Sequence, residues 1–356
     1  MTYNSYTERI KKVKLNRINI IVVILSMIGL VAYLFIVEDY HNIVHIFHSV
    51  NPMWILWAVL LMIAYWFIES LILHAAMRKL YPSQKYVESL KTSMIGQFYN
   101  SITPSASGGQ PMQALYMVKT GVPLGVGTSA LVIKLITYQI VIAAYLVVMA
   151  IFKLQEFSSK IYGLTFPIVI GLIVNIVVTS AFIVFCCFKN VAIGAARKII
   201  KLLCKTRLCK HADDKLEYIE DEIEKFYDSF HIIKRHPFMM VKLCVMAAVQ
   251  LTLYFIIPYF IYRSFGMNEA SIYSFMASQA FVLNISYFVP LPGAAGGAEV
   301  SFYAFYQLFF PWSVINLAIL LWRLITYYSN ILVGGFFALS LNKASNGVTR
   351  QNEAAC

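Results

Sequence analysis

Four ionisable side chains lie where an apolar chain should not carry them, and together they could hold a charged ligand group. Lys134, Arg323 and Glu69 each fall inside an apolar run, and Glu299 directly follows a Pro/Gly-rich stretch. A charge at bilayer depth costs roughly 2.5–3.5 kcal/mol on insertion scales, so such groups face a protein interior or a wet cavity. Arginine offers a planar fork that matches phosphate, whereas lysine is a point charge. The two cations suit an anionic group, most simply a lipid phosphate. The structural alternative is that Lys134 and Arg323 pair with Glu69 and Glu299 and only hold helices together. Glu69 has a further option, pairing with Arg78 or Lys79 near the inner interface. Glu299 could contact a positively charged head group, carry a proton or pair with a cation.

The stretch that must position these charges runs from Tyr99 to Gly109. It should begin as helix and then break, because Pro104 lacks an N–H and Gly108 and Gly109 tolerate unusual backbone angles. In lipid, irregular backbone survives only under protein cover or against a water-filled cavity, so the stretch reads as a broken element lining a site. Half-helix ends there should present unpaired backbone groups. Thr103, Ser105, Ser107, Gln110 and Gln113 add side-chain donors and acceptors. The stretch has a twin 188 residues later, where Tyr287, Pro292, Ala294, Gly296 and Gly297 match Tyr99, Pro104, Ala106, Gly108 and Gly109, with Gly293 after the second proline. Downstream, Lys134-Leu135-Ile136-Thr137-Tyr138 matches Arg323-Leu324-Ile325-Thr326-Tyr327 at an offset of 189. A break followed by a cation in both halves is an internal repeat.

Composition sets the class. The 356 residues are 60% hydrophobic and 13% charged, with a mean hydropathy of +0.69, against roughly 25% charged in soluble domains. Several apolar runs reach the ~20 residues that span a bilayer. The expected fold is an all-α integral membrane protein, a polytopic helical bundle. The net charge of +12 is accounted for by Lys and Arg collecting in cytoplasmic loops, where they also attract anionic lipid head groups; no nucleic-acid partner is expected. Cys186, Cys187, Cys204, Cys209, Cys244 and Cys356 form no C-x-x-C pair and read as free thiols. Motifs for nucleotide binding, zinc hydrolysis or a serine nucleophile are absent, and no cofactor or metal is expected. His41, His45 and His48 share one helical face, but no further ligand completes a metal set, and an interfacial helix accounts for them.

Basic residues orient the spans. Residues 1–17 are cytoplasmic and 18–37 form span 1; span 2 covers 53–76 and returns. A first broken element follows at 86–120, each half too short to cross, which fits a re-entrant helix pair. Span 3 (127–152) carries Lys134 and Gln139, a short outer loop covers 153–162, and span 4 (164–188) returns. The cytoplasmic loop, 189–236, belongs to a basic segment that includes an amphipathic helix, expected to pack beneath the bundle or to dock a partner. Span 5 (237–262), a second broken element (271–310) and span 6 (312–336) complete the domain of residues 18–340, and the tail 341–356 is cytoplasmic. Because span 4 is an extra crossing, repeat one (52–153) and repeat two (240–341) enter the bilayer from opposite sides. This inverted-topology repeat puts two facing broken elements near the midplane, as in alternating-access transporters.

The run Gly96-Gln97-Phe98-Tyr99-Asn100-Ser101-Ile102-Thr103-Pro104-Ser105-Ala106-Ser107-Gly108-Gly109-Gln110-Pro111, with Pro290–Glu299 later, resembles the lysylphosphatidylglycerol synthase transmembrane region, the flippase-like part of the multiple peptide resistance factor. The resemblance covers nearly the whole chain. It implies movement of an anionic or aminoacylated phospholipid, such as lysyl-phosphatidylglycerol, between leaflets of a bacterial plasma membrane, and resistance to cationic peptides. The family's lysyl transfer belongs to a soluble domain that the tail from Leu341 to Cys356 does not resemble, so the chain is expected to be a transporter rather than an enzyme. The alternatives are a component of aminoacyl-phospholipid synthesis working with a separate synthase, a flippase of another lipid-linked substrate, and a non-transporting scaffold. A homodimer is an open arrangement.

Overall fold

The computed structural model describes residues 50–160, 163, 165–188, 224–228 and 235–339. Span 1, the face of His41, His45 and His48, most of the basic loop and the tail lie outside the described residues. Among the described residues there are only helices, turns and one isolated β-bridge.

Helix α1, Pro52–Leu80, begins with the Asn51 side chain accepting from the Met53 amide and with Pro52 in its first turn, and ends with Arg78 and Lys79. The cap satisfies an orphan N–H, and the cations favour the negative end of the helix dipole. Short helices α2, Tyr86–Ile102, and α3, Gly109–Lys119, flank the first break; α4 then runs Leu124–Lys160 and α5 Thr165–Cys187. The second half has α6, Pro237–Ser264; α7, Ile272–Ser286; and α8, Gly297–Tyr306. It closes with α9, Trp312–Arg323; a π-helical turn, Leu324–Tyr328; and α10, Ser329–Ala338. The order of long helix, short helix, break, short helix, long helix occurs twice. Gly109 and Leu124 open α3 and α4, and Gly297 and Trp312 open α8 and α9 188 residues later. Among the described residues, four stretches are long and apolar enough to cross a membrane: Pro52–Leu80, Leu124–Phe157, Pro237–Ser264 and Trp312–Ala338; α5 contributes the shorter apolar stretch Ile168–Ala181.

Two elements depart from expectation. The loop expected at 153–162 is helical to Lys160. Charge ends the apolar run there, but Lys153 and Glu156 pair at 2.7 Å on the helix surface. Phe157 is buried against Phe281 and Phe305, at 5.9 and 5.6 Å between ring centroids, so packing extends the helix beyond its apolar stretch. Span 6 is interrupted by the π-helical turn immediately after Arg323. Such turns are rare and recur at functional sites.

The core lies between the halves. Helix α1 packs along its counterpart α6, and α2 packs along α10. An aromatic stack of Trp322, Phe302 and Tyr306, with centroids 4.8 and 4.0 Å apart, fixes α8 against α9. From the basic loop, residues 224–228 are helical, and the Phe226 carbonyl accepts from the Ser129 hydroxyl of α4 at 2.9 Å.

Candidate functional site

The first break is built by its own side chains. Thr103 precedes Pro104, which disfavours helix, and its φ of −115° and ψ of 146° end α2. The Thr103 hydroxyl donates to the Tyr99 carbonyl at 2.6 Å and accepts from the Gly108 amide at 2.9 Å. The Gly109 amide donates to Asn100 Oδ1 at 3.0 Å, and a Cβ on Gly109 would lie 2.1 Å from that oxygen. The amides of Gly108 and Gly109, expected to face a ligand, are therefore satisfied inside the break. The Ser107 hydroxyl is likewise bonded, to the Pro104 carbonyl at 2.9 Å.

Both breaks contain the same turn. Ser105 and Ala106 have φ of 52° and 53°; Gly293 and Ala294 have 60° and 52°. The Ser107 amide donates to Pro104 and the Ala295 amide to Pro292, each at 3.2 Å. Positive φ at both central residues is the requirement of a type I′ turn, a strained one for serine and alanine. The two turns meet: Pro104 and Pro292, equivalent residues of the repeats, form the antiparallel β-bridge. Tyrosines brace this contact crosswise. Tyr138 reaches Tyr287 of the second break, with oxygens 3.1 Å apart, and its counterpart Tyr327 donates to the Ser101 carbonyl before the first break, also at 3.1 Å.

Each half pairs its cation with a carboxylate. Lys134 Nζ lies 2.5 Å from Glu69 Oε1, and Gln97 donates to Glu69 Oε2. Glu69 thus pairs across to α4. Arg323 Nε lies 2.8 Å from Glu299 Oε1, near enough for an ion pair but without the alignment of a hydrogen bond. Arg323 Nη1 donates to the Gly293 carbonyl at 3.0 Å. The guanidinium is 5% exposed and sits 5.0 and 5.1 Å from the ring centroids of Trp322 and Tyr327, within cation–π range.

Two cavities flank the bridged breaks. The larger, of about 610 Å³, is lined by Glu69, Lys134, Ser105, Gln110 and Gln113, all expected site residues, and by Gln97, Asn100 and Tyr138. The smaller, of about 180 Å³, is lined by Gly293, Arg323, Ser105, Trp322, Gln279 and Tyr327 among others. Ser105, Ala106, Asn100 and Tyr287 line both. Glu299 lines neither cavity and pairs with Arg323, which lines the smaller one. The other expected residues, Thr103, Pro104, Ser107 and Gly108, with Gly109, Pro292, Gly296 and Gly297, line neither cavity and form the frame of the breaks.

Three donors on residues that line the smaller cavity are unpaired. Arg323 Nη2, Trp322 Nε1 and Gln279 Nε2 are buried and make no hydrogen bond. The Gln279 oxygen already accepts from the Tyr306 hydroxyl at 3.1 Å, so its amide presents only N–H. Arginine and tryptophan have no acceptor at all. A buried donor without a partner costs about 1–3 kcal/mol, so three around one space favour a ligand rich in acceptors. Trp322 and Gln279 were not singled out in the sequence; the usable signal was a polar group inside an apolar run, the same signal that picked out Lys134 and Arg323.

The family described as the lysylphosphatidylglycerol synthase TM region matches residues 19–334. A UPF0104 membrane protein of Archaeoglobus fulgidus is 28% identical over 292 residues, covering 80% of this chain and 84% of the relative. The UPF0104 membrane protein MJ1595 of Methanocaldococcus jannaschii is 24% identical over 333 residues, covering 91% and 94%.

Proposed function

Because the chain belongs to the lysylphosphatidylglycerol synthase TM region family, we propose that it is a lipid translocase that moves an anionic or aminoacylated phospholipid between leaflets. The observation that carries this reading is the donor-rich cavity around Arg323, in a membrane protein, beside two bridged breaks. A phosphate diester offers acceptor oxygens to Arg323 Nη2, Trp322 Nε1 and Gln279 Nε2. Glu299 already balances the guanidinium, so the ligand is held by the direction of the donors rather than by net charge. Lysyl-phosphatidylglycerol is one candidate, suggested by the family's description, and with it a contribution to resistance against cationic peptides.

In this reading the halves are inverted repeats, each with a re-entrant helix pair at its break, and both termini are cytoplasmic in a cell membrane. The repeated element order, the identical turns and the meeting of Pro104 with Pro292 support that arrangement. Rocking of one half against the other, with the bridge between the breaks opening, would expose the cavities alternately. A second reading, a membrane component of aminoacyl-phospholipid synthesis working with a separate synthase, is favoured by the family's description alone. Reconstitution in proteoliposomes with fluorescent phosphatidylglycerol or lysyl-phosphatidylglycerol separates the two. A translocase bleaches inner-leaflet probe when an impermeant reductant is added outside; a synthesis component leaves that fraction protected.

A further inference from the structure

The larger cavity is lined mainly by side chains that both donate and accept. Among the described residues, eight of the 23 that line it are Asn or Gln, and Glu69 and Lys134 are the only Asp, Glu, Lys or Arg. Those two charges cancel across 2.5 Å. Both Glu69 oxygens already accept, one from Lys134 and the other from Gln97, so the described residues of its lining offer no uncommitted carboxylate to an aminoacyl cation. The carboxamides come from separate elements: Gln113 on α3, Asn175 on α5, Gln250 on α6 and Asn284 on α7, all buried. Asn175 Oδ1 and Asn284 Nδ2 are buried with no hydrogen-bond partner, an acceptor and a donor on the same cavity. Tyr65, Tyr138 and Tyr287 add aromatic faces. The volume of about 610 Å³ is within the roughly 300–1,000 Å³ of ordinary ligand sites.

A hydroxyl donates and accepts at once, as a carboxamide does, so paired donors and acceptors around a neutral space match a polyol. The cavity also adjoins the donor-rich space at Arg323, sharing Asn100, Ser105, Ala106 and Tyr287 with it. We propose that the larger cavity selects a lipid whose phosphate carries an uncharged polyol (a glycerol, inositol or sugar head group) over one that carries an aminoacyl cation. This rests on the translocase reading and names its head-group class.

The test uses the full chain in proteoliposomes with matched fluorescent phosphatidylglycerol, phosphatidylinositol and lysyl-phosphatidylglycerol. A polyol lipid is expected to move at least about tenfold faster than the lysyl lipid, because a site built to hydrogen-bond discriminates against ligands that leave its groups unpaired. Which polyol lipid moves distinguishes glycerol from inositol or sugar. Gln139→Leu, at the cavity wall, and Asn284→Leu, in its buried part, should each reduce that ratio in protein whose melting temperature shows it folded. Faster movement of lysyl-phosphatidylglycerol overturns the head-group inference and leaves the translocase standing. If no lipid moves, the translocase reading fails, and short-chain lipids then decide the head group by binding. A melting temperature raised more by dioctanoyl phosphatidylinositol than by its lysyl-phosphatidylglycerol counterpart supports the inference, and the reverse overturns it.

Discussion

Arg323 and Lys134 occupy matching places in the repeats and are used differently. Lys134 is satisfied by one carboxylate, whereas Arg323 keeps Nη2 unpaired after meeting Glu299 and Gly293. Arg323→Lys should therefore keep most of the fold but slow translocation by about tenfold or more, since a charged hydrogen bond is worth about 1.5–3 kcal/mol. Dithionite bleaching in proteoliposomes, beside a detergent melting curve, checks both halves of that statement. Glu69→Gln should act on stability instead. It leaves the Lys134 ammonium without its carboxylate at a cost of about 3 kcal/mol, and Lys134→Met added to it should recover most of the loss; chemical unfolding in detergent measures the coupling. These charges were legible in the sequence because ions inside apolar runs are conspicuous. The carboxamides at Gln250, Gln279 and Asn284 carry the same signal more weakly, and only packing shows that they converge.

The breaks hold their shape against strain at Ser105 and Ala106 in one half and at Ala294 in the other, where Gly293 relieves the first central position. Ala106 has a φ of 53°, where an L-residue pays about 1–2 kcal/mol relative to right-handed helix. Ala106→Gly should stabilise the protein by about 0.5–1 kcal/mol, part of the relief being lost to the freer unfolded chain. Gly293→Ala should do the opposite, by about 1–3 kcal/mol, because its φ is 60° and the new Cβ would lie 2.1 Å from the Tyr327 ring. Melting temperatures of the two variants in detergent should move in opposite directions. The ends of these elements were readable from Pro104, Pro292 and the glycines. Two features were not. The last turns of α4 depend on Phe157 finding Phe281 and Phe305, and the π-helical turn after Arg323 leaves no mark in periodicity over five residues. The helix-end amides also differ from expectation, since no sequence rule showed that Thr103 and Asn100 would cap them.

At the scale of the molecule, the repeat read from matched motifs returns as matched elements, and its two breaks touch at equivalent prolines. If rocking of the halves opens that contact, transport requires the prolines to separate. Paired residues in an antiparallel bridge that do not exchange hydrogen bonds have Cα atoms about 4.5 Å apart, within reach of a disulfide. Pro104→Cys with Pro292→Cys, in a background free of the other cysteines, should therefore crosslink under mild oxidation. The deciding measurement is lipid translocation by this protein in proteoliposomes, before and after reduction of the crosslink. Movement that is absent while the crosslink is closed and returns on reduction is the predicted result. Equal movement in both states would contradict a site that works by opening the paired breaks.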